Sequence, residues 1–207
     1  MNLSDISLAV SGYIYTAAGN GSRGFSGDGG QATSATMSPP YGVAADRQGN
    51  IYFSDNNRVR MVTVATGDIT TVAGNGLCAF SGDGGPASSA ALCGPAYLHV
   101  DAPGNIYIAD NGNSRVRKIT KSSGNITTVA GNGGIGYNGD GRLATDSAIY
   151  KGFGITVDTS GNLYICDTYE NRVRKVTKST GIMSTIAGIG SINNGGFAGD
   201  GGLATLA

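Results

Sequence analysis

Histidine and glutamate are each represented once in this 207-residue sequence, by His99 and Glu170. A histidine-based metal triad, or a Ser-His-Asp site recurring along the chain, is excluded within it, because each needs more imidazoles than are present. Glu170 reads as part of a hairpin turn and has no candidate acid partner at a fixed spacing. No segment approaches the 18 continuous apolar residues of a membrane-spanning helix. Residues 1–20 lack a basic start followed by an apolar stretch and do not read as a signal peptide. Secretion would then use a signal already removed, or one in a longer precursor. A basic excess is missing too: 14 Lys and Arg balance 14 Asp and Glu, which argues against nucleic acid or an anionic membrane as partner.

Glycine is abundant, at 36 residues, but without a Gly-X-Y period, so a collagen helix is excluded. The glycines cluster between short apolar runs, which reads as many short strands joined by tight turns. With 40% hydrophobic residues and ten tyrosines, there is enough apolar material for a packed core.

Comparing the chain with itself exposes its organisation. Gly-Asp-Gly-Gly places its aspartate at Asp28, Asp83 and Asp200, and Gly-Asp-Gly-Arg places Asp140; the spacings are 55, 57 and 60 residues. An Asp-x-x-Gly-Asn turn leading into a strand begins at Asp46, Asp101 and Asp158. Arg-Val-Arg begins at Arg58, Arg115 and Arg172. A run of the type Thr-Val-Ala-Gly-Asn ends at Asn20, Asn75 and Asn132, and as a variant at Ile189. The shorter first interval comes from a hairpin with three residues from Asp55 to Arg58, against five from Asp110 to Arg115 and from Asp167 to Arg172. Length changes confined to loops are what a repeated β unit tolerates.

Each unit reads as four short antiparallel strands, the pattern of a propeller blade. In the second strand Ile51 and Phe53 share one face while Tyr52 and Ser54 share the other. On this reading Tyr52, Tyr107 and Tyr164 occupy one register and stack in adjacent blades. Full blades cover about residues 40–74, 97–131 and 153–188, and residues 6–19 supply the last two strands of another. Glycine-rich linkers cover 20–39, 75–96, 132–152 and 189–207, each with one helical turn expected after its Gly-Asp-Gly motif.

The run Pro40-Tyr41-Gly42-Val43-Ala44-Ala45-Asp46, followed by Gly49-Asn50-Ile51-Tyr52, Asp55 and Asn57-Arg58-Val59, resembles the NHL repeat. The linkers at residues 24–35 and 79–90 resemble the long-linker subgroup of that family, and the likeness extends from about Tyr13 to Ala207. It implies an all-β propeller, most often six-bladed and usually an interaction platform, although a few similar propellers are metal-dependent lyases. Three full blades plus a partial one make about half of such a ring, so a partial or open propeller is expected.

Several residue patterns carry candidate chemistry. The Gly-Asp-Gly loops resemble phosphate cradles, but no Gly-Lys-Ser/Thr follows and no strand–loop–helix is foreseen. Asp and Asn there are oxygen ligands of the kind calcium takes, yet each loop has one carboxylate and no EF-hand string occurs. The plainer expectation is no cofactor: Asp28, Asp83, Asp140 and Asp200 bond backbone amides in turns. Asp55, Asp110 and Asp167 are expected to pair with Arg58, Arg115 and Arg172 across the following hairpin. An arginine stripe facing an anionic partner is the other reading of the same residues. His99 is assigned a packing or rim role.

Cys78 and Cys93 lie 15 residues apart in one linker, and their counterparts Arg23 and Ser38 are not cysteine. A local disulfide is expected, with about 3 kcal/mol of stabilisation in the chain-entropy model and an oxidising compartment implied; two free thiols are the alternative. Cys166 matches Ser54 and Ala109 and is expected to be a packed, inert thiol. Glycosylation sequons stand at Asn2, Asn20 and Asn125, with Asn125 the best placed, beyond a hairpin tip.

The function expected is a non-catalytic extracellular or cell-surface scaffold that binds protein: copies of itself, head to tail, or the rest of a longer chain. The alternatives are a ligand- or glycan-binding module of a larger secreted protein and, behind it, a lyase-type propeller.

Overall fold

The computed structural model describes residues 14–190 and 199–207, with only the backbone at Phe153. Residues 6–13, most of the expected partial blade, and Asn2 lie outside the described residues.

Three antiparallel sheets follow one another along the chain. The first contains β1 (Val43–Ala45), β2 (Ile51–Ser54), β3 (Val59–Val62) and β4 (Ile69–Ala73), in that order. The second contains β5 (Pro95–Val100), β6 (Ile106–Asp110), β7 (Arg115–Ile119) and β8 (Ile126–Ala130). The third contains β10 (Gly152–Val157), β11 (Leu163–Asp167), β12 (Arg172–Val176) and β13 (Ile182–Ala187); the short linker strand β9 (Arg142–Leu143) adds a fifth at its outer edge. The first strands of neighbouring sheets touch, β1 against β5 and β5 against β10, so they form the inner edge of an arc of propeller blades.

The turn between the first two strands explains its own sequence. The Asp46 carboxylate accepts the backbone N–H groups of Gln48 and Asn50, the Asn50 side-chain amide and the Tyr52 hydroxyl, all within 3.1 Å. Asp158 binds Asn162 and the Tyr164 hydroxyl in the same way. The glycine before each Asn has a φ of +85° to +89°, which a side chain would strain.

The faces of the strands separate as the two-residue period requires. Ile51 and Phe53 pack with Ala32, Ala35 and Ile69, on the side of the first linker. Tyr52 joins Leu98, Ile106, Ile108 and Ile126 between the first and second blades. Tyr107 joins Leu163, Ile165, Val176 and Met183 between the second and third. The tyrosines therefore do not stack on one another as expected. Tyr52 and Tyr107 are buried in separate seams with a whole sheet between them, and Tyr164 is half-buried.

Each linker holds a 3-10 turn, at Ala32–Ser34, Ala87–Ser89, Ala144–Asp146 and Ala204–Leu206. The turn accepts two backbone N–H groups from the end of the preceding blade: Gly74 donates to Ala87 and Asn75 to Ala90, with the same pattern at Gly19, Gly131 and Gly188.

Candidate functional site: arginine locks and open blade faces

Two arginines flank a valine at the start of the third strand of each blade, and a bulge whose extra residue is in the fourth strand falls opposite Val59 and Arg60, Val116 and Arg117, and Val173 and Arg174. A bulge re-aims the side chains beside it. Here it accompanies a second arginine, Arg60, Arg117 or Arg174, that is wholly buried beneath the linker. Arg117 binds Asp83 at 2.7 Å and Asp110 at 3.4 Å. Arg60 binds Asp28 and Asp55 at 2.7 and 3.2 Å, and Arg174 binds Asp140 and Asp167 at 3.0 and 3.3 Å. The strand-end aspartate also accepts a backbone N–H from the end of the linker: Ser38 to Asp55, Cys93 to Asp110 and Tyr150 to Asp167. One guanidinium, with its strand-end aspartate, thus ties the middle and the far end of a linker to the blade that follows it.

This corrects the expected pairing. Asp55, Asp110 and Asp167 bind the second arginine of each Arg-Val-Arg, not Arg58, Arg115 and Arg172. The first arginine sits at the edge of its strand and turns onto an aromatic ring, with guanidinium to ring-centre distances of 3.8 Å for Arg58 on Phe25, 3.7 Å for Arg115 on Phe80 and 3.8 Å for Arg172 on Tyr137. It donates to linker carbonyls as well, Arg115 to Asn132 and Arg172 to Ile189. These contacts account for the arginines within the fold rather than as a stripe facing solvent.

Burial pushes the carboxyls of Asp110 and Asp167 up, against the hydrogen bonds and arginine that favour their charge. A buried ion pair of this kind fixes geometry more than it adds net stability.

The linker amides are also engaged. The N–H after each motif aspartate donates to the outer strand of the following blade: Gly29 to Ile69, Gly84 to Ile126 and Gly141 to Met183. These amides are not presented as a phosphate cradle. Among the described residues no group of three or more metal-ligating side chains converges. Asp200 pairs with no arginine among the described residues, in contrast to its three counterparts.

Cys78 and Cys93 are joined in a disulfide, their Cα atoms 4.1 Å apart. Cys166 is exposed, which corrects the packed position expected for it. Its counterparts Ser54 and Ala109 are 2% and 1% exposed because a following blade covers them, and nothing described covers the third blade. The first blade shows the reverse side of the same relationship. Val43 is 69% exposed, whereas Leu98, in the same register of the second blade, is 7% exposed.

His99 lies on the inner strand β5, with its ring 6.4 Å from that of Tyr107 and Nδ1 3.5 Å from the Thr156 hydroxyl. Burial lowers its pKa more than Asp101 raises it. Of the sequons, the Asn20 amide donates to the Ser34 carbonyl and the Asn125 amide to Gly84, so both side chains serve the linker.

The sequence model of the Teneurin NHL domain matches residues 16–79. The chain belongs to the NHL-repeat propellers. This NHL-repeat chain is 31% identical to mouse teneurin-1 over 198 residues, which is 86% of the chain and 7% of that protein. It is 34% identical to mouse teneurin-3 over 183 residues, 80% of the chain and 6% of that protein. It thus spans less than a tenth of the length of these relatives. A crystal structure of a Bacteroides thetaiotaomicron protein of unknown function is 27% identical, with a TM-score of 0.55 over 72% of this chain and 36% of that one.

The buried second arginine was missed from sequence, although its position two residues after Arg58 in the strand puts it on the same face. Phe25, Phe80 and Tyr137, each three residues before a motif aspartate, were the available sign that the linker packs over that face.

Proposed function

We propose that this chain is a non-catalytic interaction and structural module of an extracellular protein, and that its partner is a further four-stranded blade docking on an open blade face. The contrast between Val43 and Leu98 carries the reading: the same register is exposed at one end of the array and sealed inside it. Cys166, opposed to buried Ser54 and Ala109, repeats the contrast at the other end. An edge surface that is apolar and built to be covered marks an interaction site.

Asp200 and Gly201 extend the argument. Their counterparts hold an arginine and a strand carbonyl of the following blade, so a docked blade with a buried arginine would complete both. The non-catalytic reading is supported by the aspartates, whose oxygens are committed to turns and ion pairs, and by the single, half-buried His99, which packs against Tyr107. The Cys78–Cys93 disulfide supports an oxidising, extracellular setting.

Light scattering on this chain tests whether a second copy supplies the blade. Association is expected, with Val43→Asp and Cys166→Arg each returning a monomer of 20.8 kDa. A wild-type monomer that persists at high concentration would exclude copies as partner. Failure of a chain extended past residue 207 to bury Cys166 against alkylation would then overturn docking of a further blade.

A further inference from the structure

The seam between the second and third blades contains a groove of about 320 Å3. Tyr107, Val129, Leu163 and Val176 line it together with two lysines, Lys118 and Lys178. Leu163 and Val176 belong to the buried core of that seam.

The repeat itself shows how this groove differs from its counterpart. At the seam between the first and second blades the matching positions are Tyr52, Val72, Ile106, Ile119, Lys121 and Met61. Met61 lies opposite Tyr52 as Lys118 lies opposite Tyr107. Met61 packs into the apolar cluster of its seam. Lys118 is half-buried among apolar side chains, with its ammonium 5.4 Å from the centre of the Tyr107 ring. Two positions of the lining change charge: Ala102 stands where the first unit has Arg47, and lysine replaces methionine at Lys118, which places a cation beside an apolar cavity.

Asp101 and Asp158 also line the groove. Their oxygens are directed into their own turns: Asp101 accepts the Asn105 backbone and side-chain amides at 2.7 and 2.8 Å, and Asp158 accepts those of Asn162, both at 2.8 Å, and the Tyr164 hydroxyl. Among the described residues the ion pairs are made by arginine, and neither Lys118 nor Lys178 has a carboxylate partner. Lys118 is thus half-removed from water without a direct ion-pair partner, while the carboxylates of the groove are taken up by their own turns, so its ammonium is free to meet the charge of a ligand.

We propose that this groove binds a small organic anion, a carboxylate on a compact apolar body of about six to nine carbons, a size suited to a pocket at the small end of the ligand range. The apolar body lies against Leu163, Val176 and Val129 beside the Tyr107 ring. The carboxylate meets Lys118, with Lys178 as a second cation. This site is independent of the blade faces proposed above.

The test is titration of the intact chain, at low salt, with phenylacetate, benzyl alcohol and acetate, followed by amide chemical shifts. Phenylacetate is expected to give saturable shifts centred on Val129, Val157 and Gly161. Benzyl alcohol and acetate, each lacking one half of the ligand, should bind at least about tenfold more weakly. Lys118→Met, which copies the first seam, should abolish binding while leaving the protein folded. Lys118→Gln, which keeps chain length without charge, should also weaken it by about tenfold or more. Lys175→Met, at the matching position of the third blade, should leave binding unchanged. Absence of saturable shifts, equal affinity for benzyl alcohol, or undiminished binding by the Lys118 variants would overturn the proposal.

Discussion

Asp83 and Arg117, 34 residues apart in sequence, meet at 2.7 Å across the boundary between a linker and the blade it precedes. Asp110 approaches the same guanidinium from the strand side, fully buried. The two carboxylates differ in environment, since the Asp83 side chain keeps 37% of its exposure. Arg117→Met strands the Asp110 charge in the interior and is expected to cost about 3–5 kcal/mol. Asp83→Asn removes a partly solvated partner and should cost about 1 kcal/mol or less. Arg117→Met combined with Asp110→Asn should recover part of the loss, because no buried charge is then left alone. Urea denaturation of the four proteins checks the order; a double variant less stable than Arg117→Met would contradict it.

Tyr107→Ala is expected to destabilise by about 3–5 kcal/mol, the usual cost of deleting a buried aromatic side chain. That exceeds the effect expected at Asp83. The reverse order in thermal or urea unfolding would show that the seam between the second and third blades contributes less than its burial implies.

Tyr52 and Tyr107 have their pKa pushed up to about 12 by burial and by the neighbouring Asp46 and Asp101 carboxylates. The folded state therefore holds these protons more tightly than the unfolded chain does. Their contribution is full below pH 10 and is lost as the pH rises towards about 12. Ultraviolet titration should show two phenols ionising last, together with unfolding in that window. Tyr52→Phe should remove one of them; ionisation of both near pH 10 in folded protein would refute the assignment.

Asp46 has the opposite sign. Burial raises its pKa, but bonds from Asn50, Tyr52 and Gln48 outweigh this and hold it below the usual range. Its contribution is present above the unfolded value of 3.8 and is lost as the pH falls through the folded one. Asp46→Asn should flatten the acid limb of the stability curve, and an unchanged limb would count against this role.

Protein unfolded without reductant and then treated with an alkylating agent should be modified once, at Cys166. Cys78 and Cys93 should react only after reduction, which is expected to lower stability by about 3 kcal/mol for a loop of this size. Mass spectrometry counts the adducts. Three without reductant, in protein from an oxidising source, would exclude the disulfide.

The strands and turns were legible because every signal recurs in phase. Asp46 and Gly49 define one hairpin, and their repetition at Asp101 and Gly104 removes coincidence. The choice between Arg58 and Arg60 was not legible. Both lie on one face of the strand, and only packing of the linker decides which is covered. The exposure of Cys166 was hidden for a related reason: a strand position has no burial of its own, and Ala109 is sealed only because another blade stands beside it. The groove at Lys118 depends on a side chain one residue type away from Met61, in a seam that no single repeat contains.

The linker that emerges from the ribosome before each blade already carries the acid that will lock it. Asp28, Asp83 and Asp140 wait 32, 34 and 34 residues for their arginines. Every sheet otherwise pairs strands that are neighbours in sequence, apart from the linker strand β9. Closure is therefore short-range and directional, a topology that favours fast folding. Each blade can be latched during synthesis as soon as its third strand appears, without waiting for the far end of the chain.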